Sequence, residues 1–297
     1  MVKRLLSALP SELKNYNKEE LLESILLSEG RTILSEVIGE GSLFRDVSNA
    51  EMAAAFGADI LLLNFFDFNK AGFKNIEGTN AEEITAEIKR LTGKILAVNL
   101  EPTAEAEEIN KISSGRKANL DNLEKAVDAG FELVNFTGNP SAGVSNKEIL
   151  KAVKLCADNF GDKIIISAGK MHMSGIKEDY LSKEYIEKLI KAGADIILLP
   201  APGTVPGIDL EDIKEAIKII HQADKLALTA IGTSQESSGQ ETIREIALMS
   251  KMAGADIQHI GDAGYGGIAL PENILALSKV IRGRRHTYRK MALSINR

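Results

Sequence analysis

Ala253-Gly254-Ala255-Asp256-Ile257-Gln258-His259-Ile260-Gly261-Asp262-Ala263-Gly264-Tyr265-Gly266-Gly267-Ile268-Ala269-Leu270-Pro271 reads as the end of a helix, a short strand, a glycine-rich loop and the start of the next helix. Glycine closes a helix in the left-handed region without steric cost, so Gly254 is the stop signal and the strand starts at once. Pro271 suits a first helical position. The same helix-to-strand phrase stands at Gly57-Ala58-Asp59-Ile60 and at Gly193-Ala194-Asp195-Ile196, with a near variant at Ala129-Gly130-Phe131-Glu132. Recurrence of one local phrase marks a repeating unit.

Working outward, apolar β-branched runs fall at Thr32–Val37, Asp59–Asn64, Ile95–Asn99, Glu132–Phe136, Lys163–Ser167, Asp195–Leu199, Lys225–Ala230 and Asp256–Ile260, roughly 27–37 residues apart. A helix-period segment follows each. Strands alternating with helices imply parallel βαβ units, and eight of them predict a (β/α)8 TIM barrel rather than a doubly wound sheet. S/T-x-x-E capping boxes at Ser48…Glu51, Thr79…Glu82, Ser145…Glu148 and Ser238…Glu241 are expected to open helices, as is Asn17…Glu20. The chain divides into an N-terminal helical extension over 1–30, covering one end of the fold, a barrel over 31–282, and a basic tail over 283–297.

Composition narrows the function. The 297 residues are 44% hydrophobic, ample for a full core, and carry a formal charge of −6. Aromatics are only 5% with no Trp, so neither a basic field nor stacking platforms for nucleic acid are expected. Cys156 is alone, which fits a reducing compartment. The apolar start Met1–Leu6 stops at Pro10–Lys14, so no signal peptide, no membrane span and a cytoplasmic location are expected. The tail, with Arg282, Arg284, Arg285, Arg289, Lys290 and Arg297, is expected to be solvated or to serve an oligomer contact, and a homo-oligomer is the expected assembly.

In such a barrel the loops after the strands form the site. The strand ends then converge Glu36, Asn64, Asn99 with Glu101, Asn135 with Thr137, Lys170 with His172, Thr229 with Thr233, and His259 with Asp262. Glu36 sits inside Ile33-Leu34-Ser35-Glu36-Val37-Ile38, where a carboxylate is costly unless paired or facing a polar cavity. It is a candidate general base. Lys170, between Gly169 and His172, could polarise a carbonyl, form a Schiff base or clamp a phosphate. His172 is a candidate acid/base, and Glu101 and Asp262 are candidate catalytic carboxyls. Glu36, Glu101 and Asp262 could also serve as oxygen ligands to a divalent cation such as Mg2+. His259 reads more readily as a satisfied core histidine. Asn64, Asn99 and Asn135 would position substrate or tie down loops. Gly232, Thr233 and Ser234 after strand seven, with Gly261, Gly264, Gly266 and Gly267 after strand eight, are the candidate phosphate cradle, since glycine lets backbone N–H groups turn toward one point. The loop Glu101–Asn119 could close as a lid.

Ser28-Glu29-Gly30-Arg31-Thr32-Ile33-Leu34-Ser35-Glu36, Ile231-Gly232-Thr233-Ser234-Gln235 and His259-Ile260-Gly261-Asp262-Ala263-Gly264-Tyr265-Gly266-Gly267 resemble phrases of a bacterial TIM-barrel family over nearly the whole chain. Its members are labelled phosphoenolpyruvate phosphonomutase-like or haloacid-dehalogenase-like hydrolases. The dehalogenase nucleophile motif D-x-D-x-[TV] is absent here, as is the paired acidic metal motif of the phosphonomutase group. Residues and resemblance together predict an enzyme of lyase or isomerase type acting on a small phosphorylated or carboxylated metabolite. The alternatives are a non-catalytic barrel that binds a sugar phosphate or aids assembly, and a divalent-metal-dependent hydrolase.

Overall fold

Eight parallel strands follow one another around a closed barrel: β1 (Thr32–Ile38), β2 (Ile60–Asn64), β3 (Ile95–Asn99), β4 (Leu133–Phe136), β5 (Ile165–Gly169), β6 (Ile196–Pro200), β7 (Leu226–Ile231) and β8 (Ile257–Ile260). β8 pairs with β1, Leu34 lying beside His259. This is the expected (β/α)8 barrel, here in a computed structural model that describes residues 1–103, 112–138, 143–172, 178–262, 264 and 266–297. The helices that follow the strands are α3 (Asn49–Phe56), α4 (Ala81–Thr92), α5 (Leu120–Asp128), α6 (Asn146–Phe160), α7 (Lys183–Ala192), α8 (Leu210–Gln222), α9 (Gln240–Ala253) and α10 (Pro271–Ala292); α1 (Pro10–Leu13) and α2 (Lys18–Leu26) precede the barrel.

Alternation along each strand makes two cores. Leu34, Ile60, Leu62, Ala97, Leu133, Ile165, Leu198, Leu228 and Ile257 fill the barrel, while Ile33, Leu61, Val98, Val134, Ile166 and Ile197 pack outward against the helices. Leu5 and, from α2, Leu21 and Ile25 join the interior cluster at the strand starts, so the N-terminal extension stoppers that end. Each such side chain withdraws from water at a gain of about 1.5–3 kcal/mol.

The recurrent phrase has a structural meaning beyond its glycine. Gly57, Gly193 and Gly254 cap α3, α7 and α9 at positive φ. The acid that follows reaches back to the preceding strand: Asp59 accepts the N–H of Ile33 (3.0 Å), Asp195 that of Ile166 (3.0 Å) and Asp256 that of Ala227 (2.8 Å). Glu132 does the same for Leu96 (2.9 Å). All four acids stand before even-numbered strands and clamp odd-numbered ones. Each also meets a basic side chain: Arg282 and Lys290 for Asp59, Lys89 for Glu132, Lys18 and Lys225 for Asp195, and the His221 imidazole for Asp256.

Two expectations change. The tail is not simply solvated. Arg282 and Lys290 are buried against Asp59, with Arg282 also donating to the Gly57 carbonyl (2.9 Å) and Lys290 to that of Leu5 (2.7 Å). Gly283, at φ 70°, bends α10 so that its second half returns across the N-terminal extension. Two caps also shift. Asn80, not Thr79, caps α4, because its side chain reaches the Glu83 N–H; Gly239, not Ser238, precedes α9 and gives no side-chain cap. The capping boxes of Asn17 and Ser48 form, and Ser145 caps α6.

Candidate active site

Directly above the apolar filling lies a polar layer. Glu36, Asn64, Asn99, Asn135 and His259 each stand two residues past an interior apolar residue, Leu34, Leu62, Ala97, Leu133 and Ile257, and so point into the barrel. They form one hydrogen-bonded row. The Asn135 amide donates to Asn99 Oδ1 (3.1 Å), Asn99 donates to Asn64 Oδ1 (3.2 Å), and Asn64 donates to Glu36 Oε1. On the other side, His259 Nε2 meets Glu36 Oε2 at 3.1 Å. The amides point their N–H ends toward Glu36, which suits an anion.

Burial alone would raise the Glu36 carboxyl. The hydrogen bond and charge of His259, then hydrogen bonds from Asp262 and Asn64, outweigh it and hold Glu36 below the usual carboxylate range. Asp262 takes the opposite course. Burial, with the negative charge of Glu36 beside it, lifts it to about 6. Glu236 is raised for the same reasons, burial first and Glu36 charge next. Glu236 comes from the 3-10 turn Gln235–Ser237, which Asn273 of α10 fixes by donating to the Glu236 and Ser238 carbonyls (2.9 and 2.8 Å). Thus one carboxylate prefers the anion and its hydrogen-bonded neighbour prefers to keep a proton.

These groups face a cavity of about 350 Å3, the lower end of the range for small-molecule sites. Its lining includes Glu36, Asn64, Asn99, Glu236 and Asp262, together with Phe65, Glu101, Arg116, Thr137 and His172. Arg116 pairs with Glu101 at 2.5 Å and lies 4.3 Å from the centre of the Phe65 ring. His172 is held below its ordinary value by burial and by nearby Lys170. A larger groove of about 850 Å3 between α6 and α7 is rich in lysine but has none of these converging carboxyls.

The structure does not bring every candidate to the cavity. Lys170 follows Ile166 and Ala168 on the outward-facing phase of β5. Its ammonium is buried against Glu178, which also takes the Asn146 N–H at the start of α6 (3.2 Å), and it does not line the cavity. Thr229 lies between the interior residues Leu228 and Ala230, so it points outward.

The glycines of the last loop are held by packing. Gly267 at φ 77° accepts the Ile38 N–H (2.7 Å), and the Gly266 carbonyl accepts from Asn49 (2.5 Å). Gly264 N–H is turned to Asp262 (2.7 Å) and Gly261 N–H to the Ile231 carbonyl (3.0 Å). Of the candidate cradle, Gly232, Thr233 and Gly261 line the cavity, beside two acids, and the Thr233 hydroxyl is bonded to the Thr204 carbonyl (2.6 Å). Ser234 is exposed. Ala263 and Tyr265 of this loop lie outside the described residues, as do 104–111 of the expected lid and 173–177 after His172.

Glu36, Glu101 and Asp262 do not assemble as one ligand set: among the described residues no group of three or more His, Cys, Asp or Glu is disposed to hold a metal ion. Glu236 is the cavity group that sequence reasoning passed over, and Arg116 was read only as part of the expected lid. His259 is wholly buried and bonded to Glu36 beneath the cavity, as the core histidine the sequence suggests. Glu236 and Arg116 carried no periodic signal at all.

The model of a domain of unknown function, DUF7916, matches residues 6–297. The chain belongs to that family. The family description states no activity, and neither label of the resembled TIM-barrel family is part of it. No curated protein matches the sequence. Solved structures similar to this DUF7916 chain include an archaeal fructose 1,6-bisphosphate aldolase, with a TM-score of 0.56 at 16% identity over 90% of this chain and 100% of that one. A protein provisionally named a lyase/mutase from Burkholderia cenocepacia J2315 gives 0.51 at 15% identity, over 94% and 95%. A thiamine phosphate pyrophosphorylase from Pyrococcus furiosus gives 0.49 at 16%, over 86% and 97%. At such identities the likeness shows the fold. Among the described residues no helix is long and apolar enough to cross a membrane.

Proposed function

We propose that this DUF7916 barrel is a proton-transfer enzyme of the lyase or isomerase class, acting on a small polar metabolite at the mouth formed by β1, β2, β3 and β8. One observation carries the reading: Glu36 and Asp262 are hydrogen-bonded carboxyls whose surroundings drive their proton affinities apart. Glu36, held anionic by His259 and Asn64, serves as the base. Asp262, protonated up to about pH 6, returns a proton to the developing oxyanion or leaving group. His172, which also lines the cavity, is a second proton carrier. Asn64 and Asn99 offer amide groups to hydroxyl or carbonyl oxygens. Lys170, paired with Glu178, has no part in it.

The names of the aldolase and lyase/mutase of similar fold agree with this class by analogy only. A phosphorylated or carboxylated substrate remains part of the reading. Its anion is not placed in the last glycine loop, where Asp262 and Glu236 would repel it.

The test is solvent exchange. Wild-type protein in D2O, incubated with a panel of 2-oxo acids, ketoses and their phosphates, should transfer deuterium to carbon in at least one of them. Glu36→Gln should slow that exchange by about 10²–10⁴-fold. Undiminished exchange in Glu36→Gln would end its role as base. Tight binding without any exchange would favour a non-catalytic binding barrel.

A further inference from the structure

Arg116 ends a 3-10 turn, Ser114–Arg116, that is fixed in place. Phe68 N–H donates to the Gly115 carbonyl (3.1 Å), and the Asn122 amide donates to the carbonyls of Ser114 (2.7 Å) and Lys117 (2.8 Å). Gly115 backs so closely onto the loop after β2 that a Cβ there would stand 1.9 Å from Asp67 Oδ1. This part of the expected lid is therefore a platform. The guanidinium rests on the Phe65 ring, a good surface for a planar cation. Phe65 itself is held at φ 58°, a conformation costly to a bulky side chain, with its N–H on Asn64 Oδ1 (3.0 Å).

The ion pair on this platform is half made. Arg116 Nη2 reaches Glu101 Oε1, yet among the described residues neither Arg116 Nε nor Glu101 Oε2, both buried, has a hydrogen-bond partner. A parallel two-bond arrangement would satisfy both, and is the usual geometry of arginine with a carboxylate. Orphaned polar atoms on either side of an ion pair that lines a cavity point to a missing third group. An oxyanion can take the free Nε–H, which the Glu101 carboxylate does not reach. Among the described residues lining the cavity, Arg116 is the only arginine or lysine, set among the acids Glu36, Glu101, Glu236 and Asp262.

We infer that Arg116 is the specificity-determining anchor for an oxygen anion on the substrate, and that Glu101 is its placeholder until that anion arrives. The inference rests on the reading of this cavity as the substrate site. It moves the anion from the loops after β7 and β8 to the segment after β3. Glu101 then acts through Arg116 and is a positioning residue.

Calorimetric titration with inorganic phosphate and with malonate tests this without knowledge of the substrate. At low salt the wild type should bind at least one of them. Arg116→Ala should weaken that binding tenfold or more, and Glu101→Gln should tighten it several-fold by removing the competing charge. Arg116→Lys keeps the charge and loses the fork, so it should weaken binding of the probe less than Arg116→Ala does. Equal binding by the wild type and Arg116→Ala, or none by either the wild type or Glu101→Gln, overturns the anchor. Failure of the two readings is separable. Anion binding that needs Arg116 in a protein without deuterium exchange would remove Glu36 as base and leave the anchor; exchange that needs Glu36, with anion binding indifferent to Arg116, would do the reverse.

Discussion

His259 Nε2 lies 3.1 Å from Glu36 Oε2, although 223 positions separate the two residues in the chain. Barrel closure makes the contact, because the last strand pairs with the first. The imidazole is wholly buried and, among the described residues, its Nδ1 has no hydrogen-bond partner, so Glu36 is what fixes the ring. Glu36 in turn relies on this donor and on Asn64 to stay ionised in a buried place. Once either partner is removed, removing the other should cost much less. In urea unfolding at pH 7, His259→Phe and Glu36→Gln are each expected to lose about 2 kcal/mol or more, and the double variant to lose clearly less than their sum, a coupling of about 1–3 kcal/mol. Additive losses would mean the pair is incidental.

Acid should unlock the same contact. The folded-state pKa of Glu36 is depressed, so its stabilising effect is complete above the unfolded value near 4.5 and vanishes as pH falls through the folded value. The wild type should therefore lose stability more steeply than Glu36→Gln below about pH 4.5. Parallel pH–stability curves for the two proteins would contradict it.

Asp262 carries the opposite sign. Its pKa rises from 3.8 unfolded to about 6 folded, so its contribution is full below about pH 4 and is lost as pH climbs through about 6. Asp262→Asn should remove that loss. At pH 7.5 the variant is expected to be more stable than the wild type by about 1 kcal/mol, since solvent at the cavity rim screens the effect, and at pH 4 the two should converge. A variant less stable than the wild type at pH 7.5 would show that Asp262 is needed as an anion.

At the opposite end of the barrel, Asp59 neutralises two buried cations, Arg282 and Lys290, and holds the Ile33 N–H. Asp59→Asn leaves both charges buried and should cost about 3–5 kcal/mol. Combining it with Lys290→Met should recover part of the loss. Chemical denaturation of the wild type and the two variants reads this directly; no recovery would place the damage in the Ile33 clamp instead.

Two glycines of the last loop should behave differently. A Cβ on Gly267, at φ 77°, would stand 2.9 Å from Ile38 Cβ and 3.0 Å from its carbonyl oxygen, whereas one on Gly264, at φ 67°, meets nothing within 4 Å. Gly267→Ala should lower stability by about 2 kcal/mol or more and Gly264→Ala by about 1 kcal/mol, the cost of the backbone conformation alone. Thermal melts with and without phosphate check both. A phosphate shift lost only in Gly264→Ala would restore the loop as an anion cradle.

The eight strands, the alternating helices and the glycine closures were all readable along the chain, because each depends on a periodicity or a neighbour a few residues away. So were the polar strand ends: Glu36, Asn64, Asn99 and Asn135 stood out as polar groups closing apolar runs. What could not be read was which way a side chain faces when both faces of its strand are buried. That ambiguity set Lys170 toward the cavity when β5 turns it out to Glu178. The glycine loop was misleading for a related reason. Gly266 and Gly267 are demanded by the close approach of Ile38, Asn49 and Leu43, contacts that arise only on closure.

By itself, then, the sequence determined the barrel, its phrase of glycine caps and strand-starting acids, and the polar rim of its mouth, since local sterics and hydrophobic period suffice for these. Only the tertiary structure decided the charges. Whether an acid serves as a clamp, as Asp59 does, as an anion, as Glu36 does, or as a proton store, as Asp262 does, depends on how deeply it is buried and which charges the closing chain sets beside it. Those distances are fixed by residues from opposite ends of the chain, and no window of sequence contains them.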